Sequence, residues 1–406
     1  MMITFAPMKT IAIINEGKQP PDLRTPLTPE QCEAVMQKFP GTKVLVQASN
    51  HRCYSNEAYA KRGIKVVDDV SVADILLGVK EVPVADLVAN KTYLFFSHTI
   101  KKQAHNRKLL RAIIKKNITL IDYETLVWEA GNRIIGFGRF AGIVGAHYAF
   151  TMWGKKYASY FLKQASLCAD MNEMYAQYRE IILPPVKIVL CGDGRVAHGA
   201  IEMMKKLKIH HVTQEEFLEN TYDHAVYVQL RSEDYYQRKD GSEWDKSDFY
   251  KHPEDYKSSF APYYKVADIM INAVFWKEGI EPFFTKEEMK RSDFNIKVIS
   301  DITCDIPGPL PSTVRSTTIE NPFYGYNPLL EKEVTPFSPE VVDIQSVGNL
   351  PCELPVDASK EFGDHLIRHV LPYLLIDDTE GIISGATITS NGSLTDKYSY
   401  LQDYIE

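Results

Sequence analysis

At 406 residues, with 45% hydrophobic and 24% charged side chains, the chain has the balance of an ordinary globular protein and the length of two domains, which excludes a disordered or fibrous polypeptide. Its formal charge of −7 is spread along the chain without a dense basic block, so no nucleic-acid partner is expected. Six scattered cysteines (Cys32, Cys53, Cys168, Cys191, Cys304 and Cys352) lack CxxC spacing, no stretch approaches the roughly 20 apolar residues of a membrane helix, and no signal-peptide pattern opens the sequence; the expectation is a reduced, cytoplasmic protein with no zinc site and no membrane partner.

From the start, short β-rich apolar runs alternate with amphipathic stretches. Strands are expected at 9–15, 42–47, 73–80, 92–98 and 118–124, with helices at 28–39 and 101–116 between them. Such alternation predicts a parallel sheet wound with helices, an α/β fold whose ligands gather at the carboxyl ends of the strands. The glycine-rich patch Gly136-Phe-Gly-Arg-Phe-Ala-Gly142 leads into a helical pattern over 143–165 that is read as the crossing into a second domain. There a strand at 186–191 runs into Gly192-Asp-Gly-Arg-Val-Ala-His-Gly199, and further strands are expected at 225–230, 269–275 and 297–302. Residues 231–264, rich in charge and tyrosine and without a sustained period, read as an excursion over the cleft between the domains or as a contact between copies in a homo-oligomer. A helix at 358–375 and a tail from 379 complete the chain, with no internal repeat.

Strand, then Gly192 and Gly194, then a helix opening near Arg195 with Gly199 inside it, is the arrangement that turns backbone N–H groups towards a pyrophosphate. The third glycine follows the second by five residues instead of three, so a plain βα turn needing glycine reads the same segment about as well. Where a typical NAD site carries an acid at the end of its second strand, residues 209–214 offer none, and Lys205, Lys206, Lys208 and Arg231 lean the choice of NAD or NADP towards NADP; the bland reading of those lysines is a solvated helix end.

Lys80 and His98 end two successive predicted strands and are both proton carriers. A lysine of ordinary pKa about 10.4 becomes a useful base when burial and a neighbouring cation depress it, and histidine titrates near neutrality unaided. Glu81 and Glu124 stand where they could set the pair's charge, and Arg24 is a candidate fork for a substrate carboxylate. Singly, each has a structural explanation; together, beside a cofactor domain, they describe a site.

The blocks Leu76-Leu-Gly-Val-Lys-Glu-Val-Pro83, Tyr93-Leu-Phe-Phe-Ser-His-Thr-Ile100, Leu120-Ile-Asp-Tyr-Glu124, Phe137-Gly-Arg-Phe-Ala-Gly142, Ser300-Asp-Ile-Thr-Cys-Asp305 and Asn349-Leu-Pro-Cys-Glu-Leu-Pro355 resemble the lysine–ketoglutarate reductase domain of the bifunctional aminoadipic semialdehyde synthases. That domain is similar to the lysine-forming saccharopine dehydrogenases and, more distantly, to alanine dehydrogenases and the transhydrogenase N-terminal subunit. The resemblance implies two Rossmann-like domains separated by a cleft, the first completed by a C-terminal return of the chain: 1–142 with 340–406 for substrate and catalysis, 143–339 for NAD(P). It further implies Lys80 and His98 as acid–base groups, Glu81 and Glu124 beside them, Arg24 on substrate and Asp301 near the nicotinamide. The implied activity joins lysine and 2-oxoglutarate, an amino acid and a 2-oxo acid, through an imine to saccharopine, or runs the reverse. The alternatives are an alanine-dehydrogenase-like deamination of a small amino acid and a non-catalytic nucleotide or amino-acid sensor.

Overall fold

The computed structural model describes residues 9–406. It divides into two compact units: one takes in the chain up to Phe137 and again Pro355–Glu406, the other is Gly138–Leu354. Each is built on an eight-stranded sheet.

In the first unit the parallel strands Lys65–Val67, Lys43–Gln47, Thr10–Ile13, Ile75–Leu77, Thr92–Phe95 and Thr119–Asp122 lie side by side in that order. The late strands Thr387–Ser390 and Ser393–Leu394 then extend the sheet antiparallel beyond Thr119–Asp122. Side chains alternate between the two faces of a strand, and here both faces are buried. Ile11, Ile13, Leu77 and Leu94 enter one apolar cluster, whereas Ala12, Leu76, Tyr93 and Phe95 enter the other. Double burial is why these strands read as unbroken apolar runs. The helix Pro29–Lys38 starts where expected because Thr28 and Gln31 form a capping box ahead of Pro29.

In the second unit the order is Lys332–Val334, Phe323–Asn327, Val342–Gln345, Val298–Asp301, Ile269–Asn272, Lys187–Cys191, Val226–Leu230 and His210–His211. All pairings are parallel except those of Phe323–Asn327 with its two neighbours. Because Val342–Gln345 pairs with Val298–Asp301, residues 340–354 belong to the second sheet, and the chain returns to the first unit at Pro355, later than the expected 340. The helix expected over 143–165 is Gly138–Tyr157 and begins inside the glycine patch. A Cβ on Gly142 would lie 1.8 Å from the Val196 carbonyl oxygen, and one on Gly199 would lie 2.0 Å from that of Arg139. Those glycines let the helices Gly138–Tyr157 and Arg195–Lys206 touch backbone to backbone. Residues 231–264 also differ from expectation. They fold as short helices and the hairpin Tyr236–Arg238 with Tyr256–Ser258, and Tyr235, Tyr236, Phe249, Tyr256, Phe260, Tyr263 and Tyr264 pack into the second unit's own core.

Candidate active site

In the first unit the loops that leave four neighbouring parallel strands carry nearly all the candidate chemistry. Register sets them level, since Ile13 pairs with Leu77, Leu77 with Leu94, and Phe95 with Asp122. Glu16 follows the first of these strands, Lys80 and Glu81 the second, His98 the third and Glu124 the fourth. The strand expected to end at Lys80 stops at Leu77, so Lys80 sits on a loop. That loop is held by Glu16, whose two carboxylate oxygens accept the Val79 N–H at 2.6 Å and the Lys80 N–H at 2.9 Å.

Lys80 and His98 are set up differently. No hydrogen bond or ion pair engages the Lys80 ammonium among the described residues, and burial, assisted by the Arg24 charge, pushes its pKa down to about 8. His98 is fixed on several sides. Its backbone is left-handed at φ 53°, a strained conformation for a non-glycine residue. Phe96 stacks on its ring, Nδ1 lies 3.1 Å from Glu124 Oε2, and Nε2 is 3.8 Å from Glu81 Oε1. Burial alone would raise the Glu124 pKa, but the His98 contact with Lys101 and Arg133 outweighs it and holds the group down at about 2. Ionised Glu124 therefore accepts the Nδ1 proton, which leaves Nε2 as the nitrogen able to take another.

Arg24 is only 3% exposed, and its Nε and Nη2 meet the two oxygens of Asp22 at 2.9 and 2.6 Å while its guanidinium lies 4.1 Å from the Phe137 ring centroid. The edge expected to fork a substrate carboxylate thus already holds one. Burial works against the ionised Asp22, yet Arg24 keeps it well below the usual carboxylate range. Asp122 is the hidden organiser of the other side: fully buried, it accepts from the Ser97 hydroxyl, from Ser97 N at 3.1 Å and from Glu124 N at 2.7 Å, so it fixes both the His98 and the Glu124 turns. Burial raises its pKa to about 6. Sequence reasoning passed over Glu16, Asp22 and Asp122, although Glu16 and Asp122 lie close to predicted strand ends and Asp22 is two residues from Arg24.

The second unit offers a different kind of site. Gly192 follows Lys187–Cys191 at φ 122°, and a Cβ there would come within 2.6 Å of the Ala273 carbonyl oxygen. Gly194 caps the helix Arg195–Lys206 without a side-chain hydrogen bond, and nothing lies within 4 Å of where its Cβ would stand. A helix N-terminus opened by a glycine with space beside it fits a pyrophosphate. Gly199, expected at the cofactor, instead serves the contact between helices. Asp301, expected near the nicotinamide, is 0% exposed and occupied by Asn272 Nδ2 at 2.8 Å, Thr313 Oγ1 at 2.6 Å and Cys304 N at 3.2 Å. Its role in this structure is to tie together two strand ends and the loop after them.

The sheet order also corrects the search for the ribose acid. The strand beside Lys187–Cys191 is Val226–Leu230, not the edge strand His210–His211, so the position to inspect follows Leu230. Arg231 stands there, its side chain 63% exposed and 3.8 Å from Glu233. No helix is long and apolar enough to cross a membrane, and no cluster of three or more His, Cys, Asp or Glu could hold a metal ion, both among the described residues.

Two wound sheets, one bearing acid–base groups and one a glycine turn, define a two-domain α/β dehydrogenase fold. Residues 12–144 match the family described as alanine dehydrogenase/PNT, N-terminal domain. A solved L-alanine dehydrogenase aligns with a TM-score of 0.65 over 98% of this chain and 100% of that one at 15% identity, and a transhydrogenase from Sinorhizobium meliloti aligns with a TM-score of 0.58 over 95% and 99% at 13% identity. The mitochondrial alpha-aminoadipic semialdehyde synthase of Mus musculus is 31% identical over 93% of this chain and 46% of its own length. The saccharopine dehydrogenase [NAD(+), L-lysine-forming] of Emericella nidulans is 25% identical over 87% of this chain and 89% of its own. Along most of its length the chain is similar to the saccharopine dehydrogenases (L-lysine-forming) and to the aminoadipic semialdehyde synthases, and its first third matches the alanine dehydrogenase/PNT N-terminal domain. It spans about half the length of the semialdehyde synthases it matches.

Proposed function

We propose that the protein is an NAD(P)-dependent oxidoreductase that condenses the ε-amine of lysine with 2-oxoglutarate and reduces the resulting imine to saccharopine, or runs the reverse. The observation that carries this reading is the Lys80 amine, unpartnered and with its pKa lowered to about 8, on the same strand-end row as a histidine whose Nδ1 is held by an ionised glutamate. Amine condensation needs several proton transfers. The attacking ammonium must lose a proton, the carbinolamine must gain one on its departing hydroxyl, and water must leave before the C=N carbon accepts hydride. Lys80 takes and returns the first of these protons because it is neutral in part near pH 8. His98 Nε2, once protonated, gives its proton to the departing carbinolamine hydroxyl, and Glu124 steadies the imidazolium until that transfer leaves a neutral imidazole. The half-exposed Lys18, Lys101 and Arg133, each paired with Glu81 or Glu124, offset the negative charge of those carboxylates beside His98.

The nicotinamide dinucleotide, when bound, supplies the hydride. The Gly192–Gly194 turn and the first N–H groups of Arg195–Lys206 would hold its pyrophosphate. Arg231 at the end of the neighbouring strand favours a 2′-phosphate, so NADP is the preferred cofactor. The test is to follow loss of nicotinamide absorbance from NADPH and from NADH, with lysine plus 2-oxoglutarate in one arm and ammonium plus pyruvate in the other. Turnover in the first arm supports the proposal. Turnover only in the second assigns an alanine-dehydrogenase-like activity, and cofactor binding without turnover in either makes the protein a sensor.

A further inference from the structure

We infer that Glu16 is a positioning residue for Lys80: its carboxylate clamps the two backbone amides that set where the lysine's amine stands. The inference rests on the proposed proton-carrying role of Lys80 and assigns a residue to support it.

The geometry is specific. Glu16 stands three residues beyond the strand Thr10–Ile13 and reaches sideways to the exit of the neighbouring strand Ile75–Leu77, where Oε1 accepts Val79 N at 2.6 Å and Oε2 accepts Lys80 N at 2.9 Å. One carboxylate thus takes two consecutive N–H groups, a use of both oxygens that no neutral side chain reproduces. Gly78 makes the approach possible, because a Cβ there would lie 2.9 Å from Ile14 Cδ1 and 3.5 Å from Glu16 Oε1. Since the Lys80 ammonium has no partner of its own, its place depends on its backbone. That backbone is pinned by Glu16.

The surroundings show a tuned group. Burial raises the Glu16 pKa to about 7, opposed by the two amides and by Arg24 and reinforced by Asp22. Arg52 lies close enough to feel its charge, with Nη2 on the carbonyl oxygens of Ile14 and Gln47 at 3.3 and 3.0 Å, and the buried Tyr123 phenol senses it from the next element. Lys80 itself faces Arg24, Asp22, Lys18 and Glu81. Glu16 is therefore enclosed by the same groups that tune the lysine, while remaining attached to the lysine's own backbone.

The experiment compares wild type with Glu16→Gln and Glu16→Asp. Glutamine keeps the length but turns an NH2 towards one of the amides, and aspartate keeps the charge but is one methylene too short to reach both. For each protein, the pH midpoint of Lys80 acylation by limiting acetic anhydride is read by peptide mass spectrometry. NADPH affinity, melting temperature, kcat and KM are measured on the same samples. In wild type the midpoint falls near pH 8. The inference expects both variants to move it upward towards that of free lysine as the loop enters water, and to lower kcat at least tenfold with KM for the amine changed less than threefold and NADPH affinity unchanged. Wild-type midpoints in both variants overturn it. Wild-type behaviour of Glu16→Asp alone overturns the clamp in favour of charge, and a loss that follows a collapse of melting temperature and NADPH binding overturns it in favour of plain stability. If wild type shows no lysine-dependent turnover, the acylation midpoints still decide the role of Glu16 while the proposed reaction falls.

Discussion

The two sheets share a plan and differ in what stands at their strand ends. In the first unit the ends carry Glu16, Lys80, Glu81, His98, Asp122 and Glu124, and most of their polar atoms are engaged with one another. In the second the corresponding turn carries Gly192 and Gly194, and no side chain caps the helix that follows at Gly194. Under the proposed reaction the difference is one of chemical task. A site that moves protons must hold charged groups in unfavourable surroundings and surround them with others that set their pKa values. A site that cradles a phosphate needs backbone N–H groups and room, so side chains are removed from it.

The sharpest way to break that comparison is to disable one side and watch the other. Lys80→Met combined with His98→Gln is expected to lower turnover by about a thousandfold while leaving NADPH affinity unchanged in a fluorescence titration. A wild-type rate would remove the pair from the reaction.

On the second side, Gly142→Val places a side chain into the backbone of the facing helix and should cost about 3 kcal/mol, read from denaturant midpoints. The acid–base constellation in the first unit makes no use of Gly142, so residual folded protein should keep its Lys80 acylation midpoint.

The third test concerns stability. Folding lowers the Lys80 pKa from 10.5 to about 8, so below about pH 8 the folded state carries the penalty of a buried charge, and the penalty fades as pH rises from 8 towards 10.5. Lys80→Met should therefore be more stable than wild type by about 1–3 kcal/mol at pH 7, with the gain shrinking above pH 8. Equal midpoints at pH 7 would mean that the amine is solvated. The smallest effect is on cofactor choice: Arg231→Ala should weaken NADPH about tenfold and leave NADH nearly unchanged, by isothermal titration, if the exposed guanidinium meets a 2′-phosphate.

Much of the fold was legible because doubly buried parallel strands announce themselves as apolar runs, as at 9–15, 92–98 and 186–191. The strands Phe323–Asn327, Lys332–Val334 and Val342–Gln345 were not. Phe323–Asn327 joins its neighbours antiparallel and Lys332–Val334 lies largely exposed at the edge, so their pattern is diluted by polar residues, and missing them displaced the boundary to 340. The aromatic stretch 231–264 looked external because its tyrosines follow no period, yet irregular backbone packs aromatic rings without one. Lys80, His98, Glu81 and Glu124 were singled out from their places near strand ends and from the family resemblance, and the structure places them on neighbouring strand-end loops. Glu16 and Asp122 escaped because their work is done on backbone amides, which no residue-type pattern reveals, and the Asp22 partner of Arg24 escaped although it sits only two residues away. Asp301, implied by the resemblance, and Gly199, read from the glycine spacing, both stand at buried positions.

The return of the chain at Pro355 has a consequence for synthesis. Phe362, stacked on Phe137 at 4.6 Å, and the strand Thr387–Ser390, which covers the edge of Thr119–Asp122, both follow Gly138–Leu354 in the chain. The segment Gly138–Leu354 is complete on the ribosome before either exists, so the nucleotide-type unit can fold while the chain is still growing. The acid–base row must wait with the open edge of Thr119–Asp122 unpaired, the strand that ends in Asp122 and leads to Glu124. Of the two units, the one that holds Lys80 and His98 is therefore the later to be completed.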